Sequence, residues 1–395
     1  MRFPPECYQL HASIETHFGH LRPAQQWGLV LWVYGTILAQ SCCQTAVVAA
    51  LMVLGQPQTI RDRLRDWLYD GCDKSAPCTT QVEVATCFVP LLRWILTLWQ
   101  GHELALAVDV TNHRDRMHVL CVSVLYRGSA IPVAWHILPG NQPGAWMPHL
   151  CRLIDRLGPA VPASFTVLVL VDRGLRSPAL WRHITAQHWH PMLRLQANTV
   201  FRPSGMRHRH VARSLVHGPG DAWVGQGAAF RHRPLPGTLI VLWGQDATEP
   251  WVLLTDLAPA DVGLCWYGLR IWIELGFRVI KSIGLQWQRS RRTDPDRVAR
   301  HWVVVAVALV WITAYGTRVE DAQWSHRPPA RLRTPPRMIP APPPGRRAIS
   351  LFRLGLSWLR WQLIHGRPWR CLWLRPEPWP PDPAYLSVTY HAASP

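Results

Sequence analysis

The chain is predicted to be a mixed α/β protein: a core of strands and helices with a β-rich insertion, flanked by an N-terminal helical domain and a C-terminal helical, proline-rich tail. Three observations predict this. Residues 1 to about 100 carry apolar runs of helical length, residues from about 104 to 195 carry short β-branched runs separated by two helical stretches, and residues 198–258 mix Gly, Pro, Arg and His with strand-like runs. With 395 residues, 48% of them hydrophobic, the chain can bury a sizeable core and form two or three domains.

In residues 1–100, Trp27–Leu38 and Thr45–Leu54 read as apolar helices, and Thr59–Trp67 as a basic amphipathic helix with Thr59 as its cap. A small DNA-gripping domain fits this pattern, and so does a helical cap over the core. Strands follow at Leu104–Val110, His118–Leu125 and Ile131–Leu138, then a helix at Trp146–Leu157, a strand at Thr166–Val171, a helix at Pro178–Gln187 and a strand at Pro191–Leu195. That order is the order of an RNase H-like core, here in residues 101–197. Tyr126-Arg-Gly-Ser129 is a tight hairpin between the second and third strands.

The insertion at 198–258 contains strand-like Thr238–Trp243 and Trp251–Leu254. Residues 259–320 return to the core with one long helix from about Asp261 to Ile283 and another from Pro295 to about Thr317. In residues 321–395, Pro328–Arg347 reads as a linker or arm with Pro342-Pro-Pro344 near its end, Ala348–Leu363 as a short amphipathic helix, and the last thirty residues as irregular. Leu351, Leu354, Leu356, Leu359 and Leu363 fall on one side of that helix, which suits either a dimer interface or packing on its own core.

A net charge of +18 and a pI near 10.3 point to a polyanionic partner. Nucleic acid is favoured over an anionic membrane, because the basic residues are spread through folded-looking sequence. Only Lys74 and Lys281 are lysines, against forty arginines, a skew that suits a GC-rich genome. The ten cysteines, among them Cys42, Cys43, Cys72 and Cys78, lack paired CxxC spacing and read as reduced thiols in a cytosolic protein without a signal peptide. The apolar stretches Gly28–Gly55 and Trp302–Tyr315 read as buried helices, the first because it holds Gln40, Ser41 and Gln44, the second because it is short for a span.

The chemistry-bearing residues lie at the ends of these elements. Asp109 follows Glu103-Leu-Ala-Leu-Ala-Val108, and Asp172 follows Phe165-Thr-Val-Leu-Val-Leu-Val171. Tyr267, Arg270, Glu274 and Lys281 stand at offsets of zero, three, seven and fourteen, which a helix turning about 100° per residue gathers into a ~60° arc. Arg278 lies near that face. Two strand-end aspartates and a helical glutamate suit a pair of divalent ions that activate an attacking oxygen and stabilise a leaving one. The cations of the face suit phosphates, and Tyr267 a hydrogen bond to DNA.

The face Tyr267-x2-Arg270-x3-Glu274-x6-Lys281 resembles the Tyr-Arg-Glu-Lys signature of DDE transposases of bacterial insertion sequences, in the insertion-sequence-four group. Asp109-Val-Thr111 resembles that group's first acidic motif and Asp172-Arg-Gly174 its second, and the likeness covers about residues 100–317. The resemblance implies that Asp109, Asp172 and Glu274 form a catalytic triad holding two Mg2+ ions, with Mn2+ as a substitute, and that Tyr267, Arg270, Lys281 and Arg278 contact DNA. It implies cut-and-paste transposition: binding of terminal inverted repeats, metal-dependent strand cleavage and strand transfer to target DNA. It further implies a homodimer or larger synaptic complex in the cytoplasm at the nucleoid, and an insertion-domain tryptophan, Trp223, Trp243 or Trp251, that holds a flipped base.

Asp115, Asp246, Glu249 and Asp256 lie outside matching motif context and read as turn residues. Arg207-His-Arg-His210 is a poor metal site and reads either as a DNA-backbone contact or as an exposed loop. An inactive, transposase-derived DNA-binding protein or regulator is the alternative to an active enzyme, and a membrane-associated basic protein leaves the three motifs unexplained.

Overall fold

The computed structural model describes residues 3–74, 80–113, 115–140, 145–327, 347–367 and 372–391. The N-terminal part is helical: α1 (Pro5–His17), α2 (Pro23–Ala39), α3 (Gln44–Leu51), α4 (Pro57–Leu68) and α5 (Phe88–Leu98). α4 begins two residues before the predicted Thr59 cap, because Pro57 takes the first helical position, where its missing N–H costs nothing. Gln40 in left-handed geometry ends α2, and the chain turns by 90° into α3, so the apolar Gly28–Gly55 stretch holds two helices, the two that the runs Trp27–Leu38 and Thr45–Leu54 predict.

The core follows as β1 (Glu103–His113), β2 (Met117–Tyr126), β3 (Ser129–Pro139), α6 (Trp146–Leu157), β4 (Thr166–Val171), α7 (Pro178–Ala186) and β5 (His190–Leu195). The β2–β3 turn carries positive φ at Arg127 and Gly128, the pair of left-handed residues that a two-residue hairpin requires. Then come β6 (Val200–Pro203), β7 (His210–Val211), β8 (Asp221–Ala229), β9 (Leu235–Leu242) and β10 (Trp251–Thr255). All of these join one sheet in the order β3-β2-β1-β4-β5-β10-β9-β8-β6-β7. The β-rich segment extends the core sheet through antiparallel pairing of β10 with β5.

β1 pairs antiparallel with β2 and parallel with β4, so it is buried on both sides of its ladder. It runs four residues past Asp109, since β2 offers backbone partners as far as His113↔Met117. Asp109 is therefore an interior residue of β1, not its last one, whereas Asp172 directly follows β4.

The expected helix from Asp261 to Ile283 is replaced by three unlike pieces: a tight 3-10 turn at Trp266–Arg270, α8 (Ile271–Arg278) and a single wide π-type turn at Val279–Ile283. Asp261–Cys265 is not helical, and the amides of Leu264 and Cys265, just ahead of the 3-10 turn, donate to Asp382 Oδ1 from the C-terminal tail, at 2.8 and 3.2 Å.

α9 (Pro295–Trp324) is longer than predicted and is capped by Asp294, whose side chain accepts from Arg297 N at 2.8 Å. It is long and apolar enough to cross a membrane, and its apolar window is wholly buried among α2, α4, β3 and α10. A helix apolar all round is the central rod of such a core. α10 (Leu351–Ile364) lays Leu351, Phe352, Leu356, Leu359 and Leu363 against it, so the leucine side of this helix packs on its own chain.

The predicted linker lies outside the described residues except for Arg347. The proline-rich end is irregular over most of its described length but is tied down: Leu374 bridges to Trp99, and β11 (Ser387–His391) adds a parallel strand to β8. Arg127, Glu320, Asp321, Arg347, Arg375 and Glu377 form a largely buried ion-pair cluster that ties this tail to α9 and the β2–β3 turn. All eight cysteines among the described residues are free thiols.

Candidate active site

The register of the central strands places the two aspartates. Val108 is the partner of Val171 across the parallel β1–β4 ladder, so Asp109 and Asp172 follow side by side on strands about 4.8 Å apart. Asp109 is well covered, with 14% of its side chain exposed against 34% for Asp172, and its Oδ1 accepts from Val110 N at 2.8 Å.

Glu274 arrives from α8, which lies across β1, β2 and β3. The approach is close because position 276 is glycine: a Cβ there would meet Ala130 Cβ of β3 at 2.8 Å. Contact at this range fixes the height of α8 above the sheet, and with it the height of Glu274.

All three carboxylates converge on one guanidinium. Arg270 Nη2 lies 2.9 Å from Asp109 Oδ2 and 3.8 Å from Asp172 Oδ2, and Nη1 lies 2.9 Å from Glu274 Oε1. Burial raises the Asp109 carboxyl above its ordinary range. Arg270 and the Val110 amide pull it back, and Asp172 and Glu274 push it up further. Burial opposes the charge on Arg270, yet Asp109, Tyr267, Asp172 and the hydrogen bond to Glu274 together hold its pKa above the usual arginine value.

Tyr267 is buried beneath this cluster, its hydroxyl 3.5 Å from Val171 O, a marginal hydrogen bond. Burial raises its pKa. Arg278 is exposed, and Lys281 is half-buried in the wide turn, where desolvation lowers its pKa. Lys281 makes no ion pair with the carboxylates among the described residues. The 60° arc drawn for a uniform helix thus splits. Tyr267, Arg270 and Glu274 meet at the sheet, because a 3-10 turn brings residues three apart onto one line, while Lys281 sits beyond the change of pitch.

Three further residues stand at the rim, of which only Arg194 went unnoticed in the sequence. Trp251 stands edge-on to the Tyr267 ring, centroids 5.4 Å apart, which distinguishes it from Trp223, buried against Phe201 and His391, and from Trp243, which Arg213 overlies. Arg194 and Arg173 share Glu249 at 3.4 and 3.5 Å, and Arg194 also acts electrostatically on Tyr267. A charged residue inside the apolar run Pro191–Leu195 was the available signal for Arg194. Asp256 pairs with His190 at 3.2 Å, and Arg207, His208 and Arg209 are exposed.

An all-oxygen donor set without His or Cys suits a hard divalent cation such as Mg2+. Among the described residues, however, no three acidic, His or Cys groups are spaced to hold a metal. Arg270 lies between the carboxylates. The donor types therefore fit a divalent ion, and the place between them is held by this guanidinium.

No curated protein matches the chain. Among solved structures, the fold is similar to a piggyBac transposase in a synaptic complex with hairpin DNA, at 12% identity and a TM-score of 0.35, covering 53% of this chain and 46% of that one. It is also similar to human ENDOV, at 12% identity and a TM-score of 0.25, covering 53% and 85%. Both likenesses are too distant to bear on chemistry, and the chain spans less than half of the piggyBac protein. Residues 139–311, less than half of the chain but including Asp172, Tyr267, Arg270, Glu274 and Lys281, match the family model of the transposase DDE domain, which supports a DDE transposase.

Proposed function

We propose that this chain is an insertion-sequence transposase of the Tyr-Arg-Glu-Lys kind, built on an RNase H-like core, that binds the terminal inverted repeats of its element, cuts them and joins the freed ends to target DNA. The observation that carries this reading is the convergence on one guanidinium of Asp109 and Asp172, side by side on adjacent parallel strands, and Glu274 from α8 above them. Asp109, Asp172 and Glu274 would hold Mg2+ or Mn2+. Divalent cations bound there would supply Lewis acidity for phosphodiester displacement.

The chain's own residues do the rest. Arg270 leaves the carboxylates for a DNA phosphate, for which its planar fork is suited. Arg278 and Lys281 hold neighbouring phosphates, and the desolvated ammonium of Lys281 gains from an anion beside it. Tyr267 and Trp251 form an aromatic floor. No protein nucleophile is required. The acting form is a homodimer or larger synaptic complex at the nucleoid.

A second reading is a DNA-binding regulator that no longer cuts, favoured by the spacing of the acidic groups, which among the described residues holds no metal. The test is magnesium-dependent cleavage of labelled DNA carrying the sequences that flank the gene, by wild type, Asp172→Ala and Glu274→Gln. Cleavage by wild type alone supports the transposase, and specific binding without cleavage in Mg2+ or Mn2+ supports the regulator.

A further inference from the structure

We infer that Asp382, in the C-terminal tail, is a positioning residue for the active site: it fixes the start of the turn that carries Tyr267 and Arg270. The inference rests on the nuclease reading above and names a residue far outside the family match, which ends at 311.

The contact is specific. One carboxylate oxygen, Asp382 Oδ1, accepts both the Leu264 and the Cys265 amide, at 2.8 and 3.2 Å. Hydrogen bonds to a charged acceptor are about twice as strong as neutral ones, and two converging amides set direction as well as distance. Cys265 feels the same carboxylate, since its thiol pKa is raised by burial and then by Asp382. One residue on, Trp266 packs edge-on against Trp379 of the tail, ring centroids 4.7 Å apart.

Anchors on both sides hold Asp382 in place. Upstream, Arg375 Nη2 bonds to buried Asp321 Oδ1 at 2.7 Å, and its amide donates to Tyr126 Oη at 2.7 Å. Downstream, β11 is laid into the sheet beside β8. The tail is thus a strap fixed at both ends, and Asp382 is its contact with the catalytic turn. Only four residues lie between Cys265 and Arg270, and the tight 3-10 turn Trp266–Arg270 carries both Tyr267 and Arg270, so a shift of the two held amides passes directly to the guanidinium that contacts the three carboxylates.

The test compares Asp382→Ala with Asp382→Asn, which keeps an oxygen acceptor but no charge. Amide hydrogen exchange in the full-length protein reads the contact itself, and cleavage of labelled flanking-end duplex in Mg2+ reads its consequence. In Asp382→Ala, exchange at Leu264 and Cys265 should accelerate at least tenfold, the catalytic rate at saturating DNA should fall at least tenfold, and the Kd for the duplex should stay within about threefold. Asp382→Asn should recover most of both losses.

Unchanged exchange in Asp382→Ala would overturn the contact. Accelerated exchange with an undiminished catalytic rate would overturn the positioning role, and so would a rate loss shared equally by the Asn variant. If the wild type cuts no DNA, the nuclease reading fails, and the positioning role fails with it. Exchange at Leu264 and Cys265 then shows whether the contact outlives both.

Discussion

Nη2 of Arg270 stands 2.9 Å from Oδ2 of Asp109, although the two residues are 161 positions apart in the chain. The same guanidinium holds Glu274, four residues further on, at 2.9 Å. A cation from the protein thus occupies the place where three anionic groups converge, and it keeps the covered Asp109 carboxylate tolerable in the absence of other cations.

Arg270→Lys should lower DNA cleavage at least tenfold, about 1.4 kcal/mol of barrier, because an ammonium cannot grip the DNA phosphate with the planar, two-pronged fork that Arg270 offers once it leaves the carboxylates. Arg270→Ala should cost about 1.5–3 kcal/mol in chemical denaturation, the usual worth of hydrogen bonds to charged groups. An Arg270→Ala protein as stable as wild type would show that the carboxylates do not depend on it.

Asp172→Ala should abolish cleavage, while Tyr267→Phe should retain activity within about tenfold, a barrier change of about 1.4 kcal/mol at most. The hydroxyl of Tyr267 makes only the long contact to Val171 O, and the ring against Trp251 is preserved in Phe. Rates on flanking-end duplex decide both. A dead Tyr267→Phe would place the hydroxyl in the chemistry.

Gly276→Ala should destabilise the fold by about 1–3 kcal/mol and reduce cleavage, since the new methyl would sit 2.8 Å from Ala130 Cβ and lift α8, with Glu274, off the sheet. Adding Ala130→Gly removes the nearest atom and should restore part of both losses. Thermal melts of the two single variants and the double variant measure that coupling.

His301 is wholly buried against Trp32, and burial holds its pKa well below the ordinary histidine value, with Arg292 adding to the effect. His136, stacked on His149 at 3.9 Å, is pushed down to about 4 by burial, then by His149, Arg152 and Arg156. A base depressed in the fold takes up its proton on unfolding. Its contribution is therefore complete above the unfolded value near 6.5 and declines as pH falls below that. His190 has the opposite sign: its hydrogen bond to Asp256 raises its pKa, and that contribution is lost as pH rises. His301→Leu should flatten the stability loss between pH 6.5 and pH 5 by up to about 1.4 kcal/mol per pH unit. Denaturation midpoints across this range check it.

Much of the core was legible. The strand and helix order from β1 to β5 follows from β-branched runs and Gly punctuation, and the β2–β3 hairpin from Arg127-Gly128. Asp109 and Asp172 could be picked out because each carboxylate directly follows an apolar run. The length of β1 was not legible, since Asn112 and His113 are strand residues only because β2 offers them partners. The uniform helix over 261–283 was misread for a similar reason. Local pattern favours helix there, whereas Asp261–Cys265 is not helical and a carboxylate more than a hundred residues away holds the Leu264 and Cys265 amides.

By itself the sequence determined what is local and periodic: the basic charge, the apolar runs, and the acidic and cationic residue types available to a site. Tertiary structure alone decided which of those groups meet. The parallel register of β1 and β4 sets Asp109 beside Asp172, the glycine contact of α8 with β3 sets Glu274 above them, and the change of helical pitch leaves Arg270 inside the cluster and Lys281 outside it. The proline-rich tail, unreadable by pattern, is ordered by a buried ion cluster and by the edge of β8. Those contacts are non-local, and a chain's local propensities carry no record of the partner that will complete a strand, cap a turn or neutralise a buried charge.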